Sequence, residues 1–365
     1  MMKNTYGQSV TVTIFGESHG AEIGAVIDGL APGIKVNVEH IKNCLELRRP
    51  FGKISTARCE ADELRIVSGV FNGYTTGTPL TILIPNKDVK SSDYSALADL
   101  PRPSHADYTG DCKYHGYQDY RGGGHFSGRI TAALVAAGAL ISTALENKGI
   151  RIATHISNLR GITDRAIMGE DDVALLQTKR FAVLDEVAEK KMTECIEAAA
   201  KDGDSVGGVL ETVITGVPAG VGEPFFDSME SALSHIMFSI PGIKGVEFGA
   251  GFKMADMLGS EANDPFTMVD GRIGTITNNS GGINGGITNG MPILFRCAVR
   301  PTPSIRKEQT TVRLSEMRDE TLKIEGRHDP AIIHRARAVV DAAAAIAVAD
   351  MLTVRYGTDY LASEV

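Results

Sequence analysis

The sequence predicts an α+β fold, with strands and helices stacked in layers. Three observations predict it. Stretches rich in Val, Ile and Thr, bounded by Gly, Pro or Asn, recur along the 365 residues and read as strands. They come several at a time before a long helical stretch, which favours layered sheets over strict strand–helix alternation. Two helical stretches, 130–147 and 330–355, are rich enough in Ala to pack closely in a central layer. No repeat, low-complexity linker or heptad run divides the chain, so residues 1–365 read as a single domain.

The strands expected are "VTVTIF" (10–15), "IGAVID" (23–28), "ELRIVSGVF" (63–71), "PLTILI" (79–84), "GGVLETVITGV" (207–217), "GVEFG" (245–249) and "MPILFRCAVR" (291–300). Each alternates apolar and polar residues or is dense in β-branched ones. Helices are expected at 39–49 after a turn and at 130–147, opening after Ser127 and a run of glycines. Two more are expected at 183–201, rich in Ala, Glu and Lys, and at 229–239, stopped before Pro241. The last, 330–355, is expected to place Pro330 just inside its start.

Apolar residues make up 43% of the chain and charged residues 22%, as in ordinary globular proteins. The net charge of −8 argues against nucleic acid or an anionic membrane as partner. Positive charge is nonetheless concentrated locally: Arg48/Arg49/Lys53/Arg58, Arg102/His105, Arg121/His125/Arg129, Arg300/Arg306 and Arg327/His328/His334/Arg335/Arg337. Several of these groups adjoin Gly or Pro, where loops are expected. An acidic protein with cationic loops suits a small anionic ligand. The five cysteines (44, 59, 112, 195, 297) show no C-x-x-C spacing, which fits reduced thiols in a cytoplasm. The longest apolar run has 16 residues between Arg129 and Glu146, short of the ~18–20 needed to cross a bilayer. No signal-peptide core opens the chain, and a soluble cytoplasmic protein is expected.

Gly16-Glu17-Ser18-His19-Gly20 spells the G-x-S-x-G of a serine-hydrolase elbow. An elbow needs a helix after the serine, whereas "AEIGAVIDG" reads as a second strand. Only 15 residues precede Gly16, too few for the upstream strands and oxyanion loop. A turn displaying His19 is the better account. "RPSHADYTG" (102–110) holds a second loop histidine, His105, three residues after Arg102. Two such histidines suit proton transfer near neutral pH.

"GYQDYRGGGHFSGRITAAL" (116–134) leads three glycines into a Ser127 cap, flanked by Arg121, His125 and Arg129. Exposed backbone N–H groups and Arg side chains make an anion cradle. It lacks the Gly-Lys-Ser/Thr of a Walker loop and the spacing of a dinucleotide fingerprint. "NNSGGINGGITNG" (278–290) feeds a strand ending in the Pro-fixed, cationic "RPTPSI". "GRHDP" sets Arg327, His328 and Asp329 just before a helix. No metal-ligand spacing is present, and no metal site is expected.

Taken in order, "FGESHG", "RPSHADYTG", "YRGGGHFSGR", "RPTPSI" and "GRHDP" resemble the motifs of chorismate synthase, from residue 7 to about 350. The resemblance implies a β-α-β sandwich with long central helices between two sheets, assembling as a homotetramer. It implies anti-1,4-elimination of phosphate from 5-enolpyruvylshikimate 3-phosphate to give chorismate, with reduced FMN required and no net redox change. His19 resembles the histidine that protonates departing phosphate, His105 the one that protonates or steadies reduced flavin, and Asp329 the group implicated in removing the substrate proton through the flavin. Arg48, Arg102, Arg129 and Arg327 match substrate-pocket arginines. His125, Phe126, Ser127, Pro241, Gly242, Gly285, Arg300, Pro301, Thr302, Pro303, Ser304 and Arg327 correspond to FMN-contacting positions. Arg48 and Lys53 match positions tied to NADPH, which enters only as a possible source of reducing equivalents, and an external reductant is expected. The chain departs from the family in having Arg300 and Pro303 for Lys and Ser, His125-Phe126 for Arg-Ser, Lys53 for Arg and Ala331 for Cys. Lysine cannot reproduce a bidentate arginine contact, so Lys53 weakens the NADPH assignment most.

Overall fold

The computed structural model of the chain describes residues 4–55, 61–87, 99–269, 271–324 and 328–362. Two five-stranded antiparallel sheets form its outer layers. The first holds β1 (Thr5–Tyr6), β2 (Thr11–Gly16), β3 (Glu22–Asp28), β4 (Arg65–Ser68) and, past the ribbon β5–β6 (Val70–Phe71, Tyr74–Thr75), β7 (Leu80–Pro85). Its order is β1-β2-β3-β7-β4. The second starts with β8 (Arg151–Leu159), β9 (Ile162–Thr163), β10 (Gly208–Thr215) and β11 (Ile243–Phe248). After ribbons β12–β13 (Phe266–Val269, Arg272–Thr275) and β14–β15 (Ile283–Asn284, Ile287–Thr288) it is completed by β16 (Ile293–Val299). Its order is β11-β16-β10-β8-β9, and a last ribbon, β17–β18 (Gln309–Arg313, Arg318–Leu322), stands apart.

The helices are α1 (Val38–Arg48), α2 (Asp107–Tyr114), α3 (Thr131–Asn147), α4 (Glu170–Thr178), α5 (Glu186–Lys201), α6 (Met229–Ser239), the single turn α7 (Gly259–Ala262) and α8 (Ile333–Tyr356). Helix α3 lies on β2, β3 and β7, helix α8 lies on β8 and β10, and the two pack on each other with α1 and α6 beside them. The result is the sandwich expected, with both Ala-rich helices in its middle layer. Small residues make that layer thin. A Cβ on Gly138 of α3 would stand 2.4 Å from the Ala342 carbonyl oxygen of α8, so the backbones meet with no room for one more carbon. Ile23, Ile82, Leu140, Ile346 and Phe295 are fully buried around this crossing. By length and composition residues 128–147 would pass for a membrane span, but 83% of that window is buried, which marks a core helix.

Where the structure departs from the expected elements, packing gives the reason. Residues 63–71 break at Gly69, whose φ is +78° and whose Cβ would lie 2.5 Å from Leu80 Cα. Helix α8 begins at Ile333, not Pro330, because the Pro330 carbonyl accepts from Val206 N (2.8 Å) and Asp329 binds Arg335 instead of capping. The Asp185 carboxylate caps α5 by accepting from Ala188 N at 2.7 Å, so that helix starts at 186. Strand β8, which pairs with β10 over its whole length, and helices α2 and α4 were not expected from sequence.

Candidate active site

A cleft of about 300 Å³ opens between the C-terminal end of α1, the start of α3, the end of α6 and the start of α8. Five guanidinium groups line it, from Arg48, Arg49, Arg129, Arg300 and Arg335, against two carboxylates, Asp62 and Asp329. His105, Ser127, Pro241, Gly242, Thr302 and Pro303 complete much of its wall. Residues spread over more than 280 positions of sequence therefore meet around one strongly cationic space.

Asp62 organises the arginines. Its buried carboxylate bonds Arg129 Nη1 and lies 3.6 Å from Arg48 Nη2 and 3.8 Å from Arg49 Nε. Asp62 draws three guanidinium groups together, and Glu46 binds Arg49 as well. Arg129 also donates to Asn86 Oδ1 (3.0 Å) and the Pro85 carbonyl (3.2 Å), which ties the cleft to the end of β7. Across the cleft, Arg335 binds Asp329 and donates to the Arg48 carbonyl (2.9 Å), joining α8 to α1.

The triple glycine forms an arch that strains any other residue. Gly122, Gly123 and Gly124 have φ of +60°, +85° and +52°, the left-handed region that costs an L-residue about 1–2 kcal/mol. Its two sides carry the two predicted histidines. A Cβ on Gly122 would fall 2.2 Å from His19 Cε1, and one on Gly123 3.3 Å from His105 Cε1. His19 is 6% exposed and does not line the cleft itself. Ser18 is fully buried beneath the arch, with Oγ 3.1 Å from the Arg121 carbonyl and 3.2 Å from that of Gly122. Those carbonyls take the hydroxyl proton, so Ser18 Oγ accepts from His19 Nδ1–H at 3.1 Å. A buried hydroxyl so engaged is no nucleophile. Arg121 is bound bidentately by Asp119, whose carboxyl those bonds hold below its usual range.

His105 donates Nδ1–H to Asp107 Oδ1 at 2.6 Å. Arg102 is 8% exposed and turned to Asp107, with Ser304 Oγ 3.4 Å from its Nη1, and does not line the cleft. A second recess of about 500 Å³ shares Ser127, Pro241, Gly242 and Arg300 with the cleft and adds His125 and Phe126. His125 donates Nδ1–H to the Gly16 carbonyl at 2.8 Å. Ser127 caps the short turn into α3, its Oγ accepting from Arg129 N at 3.3 Å. A third recess, about 250 Å³, holds Lys53, Ser304, Arg306 and His328 and meets the cleft at Asp329, so Arg48 and Lys53 face different spaces. Pro301 lines none of these three spaces. Gly285 does not either: it turns the β14–β15 ribbon, which bonds Met229 N through Gly286 at the far end of α6 from Pro241. The 11 residues of α6 put about 16 Å of helix between them. Arg327 lies outside the described residues.

Sequence reasoning did not single out Asp62 or Asp107. Asp107 carried a readable signal, a carboxylate two residues from a loop histidine. Asp62 carried none, because its partners come from α1 and the start of α3.

A planar, phosphate-bearing cofactor fits the two joined spaces. Ile14, Leu134, Ile236 and Ile243 give the larger recess an apolar wall, Arg300 gives it a cationic edge, and the Thr302 hydroxyl is buried in the cleft wall with no hydrogen-bond partner among the described residues.

Comparison with known proteins agrees with the geometry. The family model described as Chorismate synthase matches residues 10–353. The chain is 48% identical over 349 residues to a chorismate synthase of Pyrococcus abyssi, covering 96% of this chain and 97% of that one. It is 44% identical over 351 residues to a chorismate synthase of Dehalococcoides mccartyi, covering 96% of both. A crystal structure of chorismate synthase superposes with a TM-score of 0.73 at 26% identity, over 97% of this chain and 94% of that one. A full-length match of this kind, on a sandwich whose cationic cleft suits a phosphorylated dicarboxylate, places the chain in the chorismate synthase family, the enzymes that convert 5-enolpyruvylshikimate 3-phosphate to chorismate.

Proposed function

We propose that the cleft holds the substrate on Arg48, Arg49 and Arg129 while reduced FMN lies across its border with the adjoining recess, against His125, Phe126, Ser127, Pro241, Gly242 and Arg300 on the recess side and Thr302 and Pro303 on the cleft side. The observation that carries this reading is the convergence of five guanidinium groups on one cleft that Asp329 and His105 also line. Bidentate arginines suit the substrate's phosphate and two carboxylates. Asp329, steered by Arg335 at the rim, takes the proton lost from substrate carbon. His19, held by Ser18 through Nδ1, supplies the proton that departing phosphate requires. His105 lines the cleft beside Gly123 of the arch, where it can steady reduced flavin at the border of the two spaces. When bound, reduced flavin supplies electron density that eases C–O cleavage and is recovered with the product. Flavin reduction falls to an external reductant, with Arg48 and Lys53 set apart in two recesses.

The apolar surface supports a homotetramer. Phe225, Phe226, Phe252 and Phe266 are 73–91% exposed, and Leu258, Met268, Ile273 and Ile276 are exposed as well. Patches of that kind mark contacts between chains. The free Cys44, Cys112, Cys195 and Cys297 support a cytoplasmic setting.

An anaerobic assay with chemically reduced FMN and 5-enolpyruvylshikimate 3-phosphate tests the reading. Chorismate and phosphate should form with no stoichiometric flavin oxidation, and oxidised FMN alone should give no turnover. A flavin reductase would instead consume NAD(P)H, and a mere binding module would yield neither product. His19→Ala and His105→Ala should each cut turnover by about 100-fold or more, as loss of a positioned acid or base does, and Ser18→Ala by much less. Equal losses at Ser18 and His19 would refute the assignment.

A further inference from the structure

We propose that Arg102 and Asp107 are positioning residues, which fix the tautomer of His105 and aim its Nε2 toward the cleft. The inference rests on the role given to His105 above. Asp107 is the first residue of α2, yet its side chain does not serve that helix, whose N-cap Ala106 makes no side-chain bond. It turns back instead. Oδ2 accepts from Arg102 N (2.9 Å) and Nε (2.8 Å), and Oδ1 from Arg102 Nη2 (2.8 Å) and His105 Nδ1 (2.6 Å). Burial raises the Asp107 carboxyl, but these bonds outweigh it and hold the group far below the usual carboxylate range. A carboxylate kept ionised can only accept. His105 Nδ1 must therefore carry a proton, and Nε2 is left as the ring nitrogen turned away from Asp107. Arg102 Nη2 also stands 3.0 Å from His105 Nδ1. Two donors cannot bond, so that approach reflects the Oδ1 they share.

Arg102 is thus committed inward. Its Nε and Nη2 hold Asp107, its Nη1 points to Ser304 Oγ, and it is 8% exposed behind the cleft wall. An arginine so placed orients a carboxylate and does not meet the substrate. On the opposite side of the ring stands Gly123, where a Cβ would lie 3.5 Å from Nε2. Any side chain there would narrow the approach that the pair keeps open.

The experiment is steady-state kinetics on the intact enzyme, anaerobic, with reduced FMN and 5-enolpyruvylshikimate 3-phosphate. Asp107→Asn, Asp107→Glu, His105→Ala and the two double variants are compared, with melting temperature as the check on folding. Asp107→Asn should lower kcat about 10- to 100-fold, as loss of an orienting partner does, with KM inside about twofold. In the His105→Ala background the same change should cost less than about twofold, since no ring is left to orient. Asp107→Glu, which keeps the charge, should retain more activity than Asp107→Asn. Should Asp107→Asn not fold, the Glu variant carries the same comparison with and without His105. Equal losses with and without His105, a rise in KM at constant kcat, or wild-type turnover in Asp107→Asn would overturn the proposal. Wild-type turnover in His105→Ala would instead remove the role of His105, and the proposal with it.

Discussion

Gly122→Ala tests whether the glycine arch sets the position of His19. The backbone there has φ +60°, and the new methyl would fall 2.2 Å from His19 Cε1, 2.3 Å from Nδ1 and 2.8 Å from Ser18 Oγ. Ordinary contact begins near 3.4 Å, so the ring must withdraw by about 1.2 Å, and a misplacement of ~1 Å costs about 100-fold in rate. That is about 2.7 kcal/mol of barrier. Backbone strain contributes as well, but at stability rather than at the chemical step. Gly149→Ala isolates it: φ is +77°, and nothing lies within 4 Å of the added Cβ. Each variant should lose about 1–2 kcal/mol of stability, while only Gly122→Ala loses turnover. Anaerobic chorismate formation and thermal melts read the two effects separately. If Gly122→Ala matched Gly149→Ala in kcat, the claim that the arch positions His19 would fail.

Two further outcomes concern stability. His334 is fully buried, with Nε2 2.7 Å from Ser55 Oγ, and burial together with Arg335 and Arg180 pushes its pKa down to about 3. Above an unfolded value of about 6.5 both states are neutral, and below it only the unfolded chain takes the proton. Stability should therefore fall by about 1.4 kcal/mol for each pH unit below 6.5, levelling near 3. Urea unfolding of His334→Leu at pH 7.5, 6 and 5 should show a slope shallower by that amount, and an unchanged slope would count against the burial argument. Asp350, buried on α8, accepts from the backbone N–H groups of Gln8 (3.0 Å), Ser9 (2.7 Å) and Val10 (2.9 Å). Asp350→Ala orphans these donors and should destabilise the protein by about 2–3 kcal/mol in denaturant titration, with little change in KM. A loss below about 0.5 kcal/mol would show that water replaces the carboxylate.

Local order was legible wherever one stretch of chain decides it. The alternation in "VTVTIF" and "IGAVID" became β2 and β3, and the Ala content of 130–147 became a helix thin enough for Gly138 to touch Ala342. The Ser127 cap read after three successive glycines is present, its Oγ accepting from Arg129 N. The ordered motifs named the family. Strand β8 was overlooked although "RIATHISNL" alternates as a strand should.

What the sequence by itself determined was therefore the kind of element at each place and the chemistry on offer: imidazoles, guanidiniums and a carboxylate in loops. Which of these groups meet was decided by tertiary structure alone. Asp62 gathers Arg48, Arg49 and Arg129 from distant segments. Asp107 turns Arg102 away from the cleft that its motif suggested, while Gly285 ends up a helix length from Pro241. The reason is physical. Helix and strand propensity act over a few residues, whereas a buried charge must find its counter-charge wherever the folded chain brings one within reach.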